Sequence, residues 1–248
     1  MKRRLKWLPN ALTSVNLLAG FAAICVPIFA DEYGMEPTRA LRWSAALILF
    51  AAFFDFADGM AARALGAASD LGKQLDSLSD MVAFGAAPGV LMAAVVISSI
   101  HEPVLRPIAL GSCALLPLAA AFRLARFNVN PPPHSHFVGL PTPAMGIFVA
   151  ALALGRNSAI QPLNEIYRPT TIALFNVVLA ALMVSNLPMM SLKPDFSRTR
   201  AMRLRAAFVL AVGFALGIWG FAVAPLALIA YVAISFAEAR LMRDERPN

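Results

Sequence analysis

The sequence has 248 residues, of which 59% are hydrophobic and 14% are charged, and its net charge is +7 at pH 7. A soluble domain carries about 25% charged residues, so this composition excludes a water-soluble globular protein and predicts an integral membrane protein. The positive charge does not indicate a nucleic-acid partner, because basic residues at the ends of apolar segments are topology and lipid-headgroup signals. Cys25 and Cys113 lie inside apolar segments and form no disulfide framework or metal motif.

The apolar segments predict the secondary structure. A membrane-crossing helix needs about 20 mostly apolar residues, and the chain has room for eight with short loops. The predicted spans are 11–30, 43–65, 73–99, 107–126, 140–155, 170–190, 203–219 and 222–239. Pro131 to Pro133 interrupt the chain between the fourth and fifth spans, because proline cannot continue a helix. The expected fold is an all-α membrane protein of about eight transmembrane helices in a single domain, 1–248, although the last two segments can also form a re-entrant hairpin.

The distribution of basic residues predicts the orientation. With eight spans and a cytoplasmic N-terminus, one side of the membrane receives 16 of the 21 Lys and Arg residues. The other side receives only Arg39, Arg42, Arg106, Arg156 and Arg168. The positive-inside rule then predicts that residues 55–80 lie near the cytoplasmic face of the membrane.

One stretch, 55–80, concentrates the charged residues in otherwise apolar sequence. Asp55 and Asp58 are three residues apart, and Asp76 and Asp80 are four apart, so each pair shares a helix face. Two helices joined by a short link can direct all four carboxylates into one pocket, where their mutual repulsion would be costly. A hard divalent cation such as Mg²⁺ or Mn²⁺ removes that repulsion and selects oxygen ligands.

The pattern D-x-x-D-G-x-x-A-R-x8-G-x3-D-x3-D from Asp55 to Asp80 resembles the signature of the CDP-alcohol phosphatidyltransferases, and every fixed position matches. The resemblance implies transfer of a phosphatidyl group from CDP-diacylglycerol to an alcohol, with CMP as the leaving group. It implies a metal, Mg²⁺ or Mn²⁺, held by Asp55, Asp58 and Asp76. Asp80 is expected either to complete a second metal site or to accept the proton of the attacking hydroxyl.

The resemblance also implies a CDP site. Small residues in the motif let a nucleotide approach the backbone, and an arginine fork matches diphosphate oxygens. The run P-N-x-x-T-x-x-N at 9–16 adds plausible nucleotide contacts, although a helix cap explains it equally well. The residues expected to bind CDP and its diphosphate are Gly59, Ala62, Arg63, Gly72, Thr13 and Asn16.

Three further segments bear on the choice of alcohol: L-D-S-L-S-D-M-V-A-F-G-A-A-P at 75–88, R-L-A-R-F-N at 123–128 and F-V-G-L-P-T-P-A at 137–144. They resemble the membrane-embedded phosphatidylserine synthases and imply L-serine as acceptor. The catalytic core is then expected at 9–145, with additional transmembrane helices at 146–248. Arg123 and Arg126, three apart on one helix, are candidates for binding the serine carboxylate, although both can simply anchor the span at the headgroups.

Two alternatives stay open. A sister enzyme would share the core signature but use glycerol phosphate, inositol phosphate, choline or ethanolamine. A cation transporter would use the four aspartates as an ion path, but it would spread polar groups across the bilayer depth, whereas these gather near one face. The resemblance also implies a homodimer, which no feature of this chain indicates independently.

Overall fold

The computed structural model describes residues 6–67, 69–99, 103–130, 137–156, 167–189 and 199–244, and most of them are helical. The helices are α1 (Leu8–Ile28), α2 (Pro37–Leu65), α3 (Asp70–Asp80), α4 (Ala87–Ser99), α5 (Leu105–Cys113), α6 (Leu115–Val129), α7 (Thr142–Gly155), α8 (Pro169–Val184), α9 (Thr199–Trp219) and α10 (Ala224–Asp244). A π turn (Met81–Ala86) joins α3 to α4, and a 3₁₀ turn (Gly220–Val223) joins α9 to α10. The predicted all-α class is therefore confirmed.

Four helical stretches are long and apolar enough to cross a membrane: Leu8–Ile28, Pro37–Leu65, Asp70–Ser99 and Leu105–Val129. The other apolar helices among the described residues are shorter: Thr142–Gly155, Pro169–Val184, Leu204–Trp219 and Ala224–Glu238. An all-α membrane fold fits these lengths, while eight crossings remain a prediction.

Proline determines several helix boundaries. The helices α1, α2, α7 and α8 each carry a proline in their first two positions, where its missing N–H costs nothing. The second predicted span consequently begins at Pro37, six residues earlier than expected. The fourth predicted span is two helices separated at Ala114, because Pro117 has no N–H to donate to the Cys113 carbonyl.

The π turn occupies the centre of the molecule. Phe84 is fully buried there, together with Leu91 and Met92 of α4. Two glycines on neighbouring helices permit this packing: a Cβ at Gly20 of α1 would lie 2.6 Å from the Ala83 Cα, and one at Gly146 of α7 would lie 2.8 Å from the Phe84 ring. The α3–π–α4 stretch is thereby held between α1 and α7.

A short antiparallel pair of strands connects the later helices. In this pair β1 (Phe137–Val138) lies beside β2 (Pro188–Met189). Gly139 follows with φ 72°, and a Cβ there would lie 2.6 Å from the Met183 carbonyl oxygen. The start of α7 is thus tied to the end of α8. The proline-rich residues 131–136, which the sequence analysis read as a loop, lie outside the described residues.

Candidate active site

The hairpin between α2 and α3 brings the two halves of the acidic motif together. Gly66 ends α2 in the left-handed conformation, with φ 57°. Ser69 then caps α3 by accepting a hydrogen bond from the Gly72 N–H at 3.1 Å. The α3 helix then packs against α1, and its carboxylates meet Asp55 of α2.

Three of the four motif aspartates form a compact cluster. One carboxylate oxygen from each of Asp55, Asp76 and Asp80 lies within 4.8 Å of the others. Oxygens bound to one ion at 2.0–2.6 Å lie within about 5 Å of each other, so this spacing fits a single divalent cation. The donor set is also all oxygen, as hard ions prefer. Asp80 Oδ1 is buried without a hydrogen-bond partner among the described residues. A buried carboxylate oxygen in this state is costly unless it binds a cation or a proton.

Asp58, the fourth aspartate, is held by α1. Thr13 Oγ1 donates to Asp58 Oδ2 at 2.6 Å, and both residues are buried. The Thr13 carbonyl in turn accepts a hydrogen bond from Ser79 Oγ at 3.1 Å. Three helices, α1, α2 and α3, therefore meet at Thr13, and its α3 partner Ser79 directly precedes Asp80 in the chain. The charges of Asp58 and Asp76 lie close enough to act on each other.

A cavity of about 430 Å³ opens beside the carboxylates, between α1, α2 and α3. Asp55, Asp58 and Asp76 line it, so one wall is acidic. Five of the six predicted CDP-binding residues also line it: Thr13, Gly59, Ala62, Arg63 and Gly72. The sequence-predicted residues are thus brought together around one cavity.

Two polar residues that line the cavity were not predicted by the sequence analysis. Lys73 and Ser69 both border the cavity, and Lys73 adds a second cation to Arg63. A signal was present for Lys73, because it lies three residues before Asp76 and therefore on the same helix face. Ser69 could not be distinguished from an ordinary helix cap, which it also is.

Asn16, the sixth predicted CDP-binding residue, lies deeper than the cavity wall. It is fully buried, and neither polar atom of its side chain has a hydrogen-bond partner among the described residues. Two contacts define its depth relative to α3: Thr13 accepts a hydrogen bond from Ser79, and Gly20 packs against Ala83. Asn16 lies between Thr13 and Gly20 on α1, and Asp80 lies between Ser79 and Ala83, so the two side chains occupy a similar depth.

The two arginines of α6 have different surroundings. Arg126 is exposed and donates to Asn186 Oδ1 at 2.6 Å. Arg123 is only 7% exposed, and its guanidinium lies 4.8 Å from the centre of the Phe127 ring. Nε and Nη2 of Arg123 have no hydrogen-bond partner among the described residues. Arg123 lies at the level of Asp80, because α6 contacts the α3–π stretch on both sides of these residues: Asn128 donates to Ser77 Oγ at 3.0 Å, and a Cβ at Gly85 would lie 3.0 Å from the Ala120 Cβ. Of the two α6 arginines, Arg123 is therefore the one with buried donors that have no partner among the described residues.

Sequence comparison gives the same assignment as the motif. The sequence profile of the CDP-alcohol phosphatidyltransferases matches residues 6–233. The chain belongs to this family. Every predicted site residue, from Thr13 to Arg126, falls inside the matched range.

Several curated relatives of this chain have names that specify serine as the acceptor or product group. It is 37% identical over 155 residues to the CDP-diacylglycerol–serine O-phosphatidyltransferase of Mycobacterium leprae, a match that covers 60% of this chain and 47% of that protein. It is 30% identical over 204 residues to the enzyme of the same name from Bacillus subtilis, covering 82% of this chain and 98% of that protein. It is 28% identical over 182 residues to the archaetidylserine synthase of Methanothermobacter thermautotrophicus, covering 73% and 68%. The match thus spans about half the length of the mycobacterial relative and nearly all of the Bacillus one.

Proposed function

We propose that this protein transfers the phosphatidyl group of CDP-diacylglycerol to the hydroxyl of L-serine, giving phosphatidylserine and CMP. The observation that carries the proposal is the carboxylate cluster of Asp55, Asp76 and Asp80, within 4.8 Å, beside a cavity that two cations also border. Family membership supplies the reaction class, and the names of the relatives supply the acceptor.

The cavity between α1, α2 and α3 binds the CDP group. Arg63 and Lys73 supply positive charge for the diphosphate, and the arginine fork matches two phosphate oxygens. Gly72 lets Asn10 and Ser69 pack closely against the start of α3 at the cavity wall, since a Cβ there would lie 3.0 Å from Asn10 Oδ1 and 3.1 Å from Ser69 Oγ. Gly59 and Ala62 have no bulky side chain, so the nucleotide contacts the backbone of α2.

The acidic cluster would hold a divalent cation. Asp55, Asp76 and Asp80 would supply oxygen ligands, and Asp58, which Thr13 orients, would add a fourth carboxylate. Mg²⁺ or Mn²⁺ would supply charge stabilisation for the phosphate oxygens during transfer. Thr13 keeps Asp58 in one rotamer, so the site is organised before substrate arrives.

The transfer replaces a phosphoanhydride bond by a phosphate ester bond. The serine hydroxyl oxygen forms a bond to the β-phosphorus while the bond from that phosphorus to the CMP oxygen breaks. The hydroxyl proton passes to the Asp80 carboxylate, through the oxygen that does not face the cation. CMP leaves with the electron pair, and the cations Arg63 and Lys73 stabilise its phosphate.

Arg123 binds the serine carboxylate. Its two unsatisfied donors match the two oxygens of a carboxylate, and an unpaired buried guanidinium is costly without such a partner. Its position near Asp80 places the bound amino acid beside the proton acceptor. Arg126 instead holds Asn186 at the end of α8 and contributes to the shape of this face.

The proposal also covers the location, the membrane topology and the oligomeric state of the protein. The chain crosses the bacterial inner membrane eight times as one domain, with its core at 9–145 and the cavity open to the cytoplasm. It acts as a homodimer, as the family resemblance implies.

The test is a transfer assay on purified protein with CDP-diacylglycerol and a panel of labelled alcohols: L-serine, glycerol 3-phosphate, inositol phosphate, choline and ethanolamine. Each is assayed with Mn²⁺, with Mg²⁺ and with EDTA. We expect labelled phosphatidylserine and an equal amount of CMP, only with serine and only with metal. Transfer to another alcohol would instead make the protein a sister enzyme, and no transfer to any alcohol would reject the reaction class.

A further inference from the structure

A hydrogen bond joins the last turn of α6 to α3. The Asn128 side chain donates through Nδ2 to Ser77 Oγ at 3.0 Å, and the bond is partly buried. The Ser77 hydroxyl also lies 3.2 Å from the Lys73 carbonyl, to which it can donate while it accepts from Asn128. The bond thus attaches α6 to α3 one residue after Asp76 and three residues before Asp80.

A second contact defines the register of α6 along the same stretch. A Cβ at Gly85, in the π turn, would lie 3.0 Å from the Ala120 Cβ. The two contacts are eight residues apart on α6 and eight residues apart on the α3–π stretch, so the two segments run antiparallel, residue for residue. Arg123 consequently lies opposite residue 82, two residues from Asp80, which is an offset of about 3 Å along the helix axis.

Arg123 belongs to the face of α6 that makes both contacts. Ala120, Arg123 and Asn128 occupy positions i, i+3 and i+8 of one helical stripe. The packing against Gly85 is apolar and has no preferred direction. The hydrogen bond from Asn128, in contrast, weakens steeply when its geometry changes, so it is the contact that resists sliding of α6 along α3.

We infer that Ser77 and Asn128 are positioning residues, which hold the Arg123 guanidinium at the distance from Asp80 that the acceptor requires. The inference rests on the proposed function, because that function assigns the serine carboxylate to Arg123 and the hydroxyl proton to Asp80. Without the bond, α6 can slide, and a bound serine no longer reaches both groups together. The CDP cavity lies outside this effect, because its lining residues belong to α1, α2, α3 and the link between α2 and α3.

The experiment removes each partner of the bond and then both together. Ser77→Ala deletes a single oxygen atom, so it tests the bond even if Asn128→Ala folds poorly. Ser77→Thr keeps the hydroxyl and is the conservative variant. Asn186→Ala is the matched control, because Asn186 accepts a hydrogen bond of 2.6 Å from Arg126, which holds the same end of α6 to the end of α8 instead.

For wild type, the four single variants and the double variant, KM for L-serine, KM for CDP-diacylglycerol and kcat are measured. The Mn²⁺ dissociation constant and the thermal unfolding midpoint in detergent are measured on the same preparations.

We expect Ser77→Ala and Asn128→Ala each to raise the serine KM about three- to tenfold, the effect of one lost hydrogen bond. The double variant should match the single variants within about twofold, because both changes break the same bond. KM for CDP-diacylglycerol and the Mn²⁺ dissociation constant should change less than about twofold, because the changes do not touch the cavity or the metal ligands. Ser77→Thr and Asn186→Ala should keep the serine KM within about twofold of wild type, because neither breaks the bond between α6 and α3.

Three results would overturn the inference: an unchanged serine KM in both single alanine variants, an equal rise of KM for both substrates, or a double variant whose effect is the product of the two single effects. A rise in Asn186→Ala as large as in Asn128→Ala would do the same, because any loosening of α6 would then suffice. Wild-type protein that does not use serine would instead reject the proposed function. Wild-type use of serine, with variants that behave like wild type, would reject the inference alone.

Discussion

At the scale of single residues, the four motif carboxylates do not have the same surroundings. Asp55, Asp76 and Asp80 converge within 4.8 Å, whereas Asp58 accepts a hydrogen bond from Thr13. Neutralising any of the three convergent aspartates should therefore reduce cation binding most, because their oxygens meet at one point. Asp70, by contrast, is an exposed residue at the start of α3 and does not line the cavity.

We expect Asp55→Asn and Asp76→Asn each to abolish transfer and to lose tight Mn²⁺ binding, because each removes a charged oxygen ligand. Asp70→Asn is the control and should retain both. Activity is followed by CMP release, and Mn²⁺ binding by titration calorimetry on the same preparations. Full wild-type activity in excess EDTA would contradict the metal site.

Asp80 has a separate test. Asp80→Asn should still bind CDP-diacylglycerol but release CMP about 10²–10⁴-fold more slowly, the usual share of a general base. Binding is measured by displacement of a labelled CDP-diacylglycerol, and turnover by single-turnover CMP release. Near-normal turnover would remove Asp80 from the proton transfer.

The α6 arginines offer a matched pair three residues apart. Arg123→Ala should raise the serine KM by about 10²-fold or more, as expected for the loss of a charged partner to the substrate. Arg126→Ala should change it less than about threefold, since Arg126 is exposed and holds Asn186. Steady-state kinetics with L-serine at fixed CDP-diacylglycerol distinguish the two. Equal KM values for both variants would place the carboxylate elsewhere.

At the scale of helices, hydropathy located the apolar segments correctly, because a long apolar run has few other structures available. The acidic pairs were also predictable, since three- and four-residue spacing fixes a shared face. The π turn was not, because Met81 to Ala86 have no local pattern that differs from an α-helix. It depends on tertiary contacts to Gly20 and Gly146. The different environments of Arg123 and Arg126 were equally invisible, since spacing alone put both on one face.

Gly20 tests the packing of this turn. Gly20→Ala should destabilise the protein by about 1–3 kcal/mol, the usual cost of overpacking, because its Cβ would lie 2.6 Å from the Ala83 backbone. Activity should also fall, since the displaced turn follows Asp80 directly. Gly111→Ala is the control: a Cβ there meets nothing within 4 Å. Thermal unfolding in detergent measures both, and equal midpoints for the two variants would contradict the close packing.

At the scale of the whole molecule, the proposed orientation can be tested through the first two helices. The α1–α2 turn and the start of α3 should lie on opposite sides of the membrane, because α2 is long enough to cross it. Glu32 and Asp70 are exposed at these two points. They provide labelling positions that leave the cavity intact.

In a background with Cys25 and Cys113 replaced by Ala, an impermeant maleimide should label Glu32→Cys in intact spheroplasts. It should label Asp70→Cys only after permeabilisation. Gel-shift detection with a polyethylene-glycol maleimide measures both. Labelling of Asp70→Cys in intact spheroplasts would reverse the orientation and place the cavity outside the cytoplasm.

The π turn also constrains how this chain can change in length. A π turn closes i→i+5 and so holds one residue more than an α-turn, and each residue advances a helix by about 100°. That extra residue lets Asp76 and Asp80 face the cluster while Leu91 and Met92, further along the same stretch, face the core. Loss of one residue between Asp80 and Leu91 would turn either the aspartates away from the acidic cluster or Leu91 and Met92 away from the core. We therefore expect this segment to tolerate substitutions more readily than insertions or deletions.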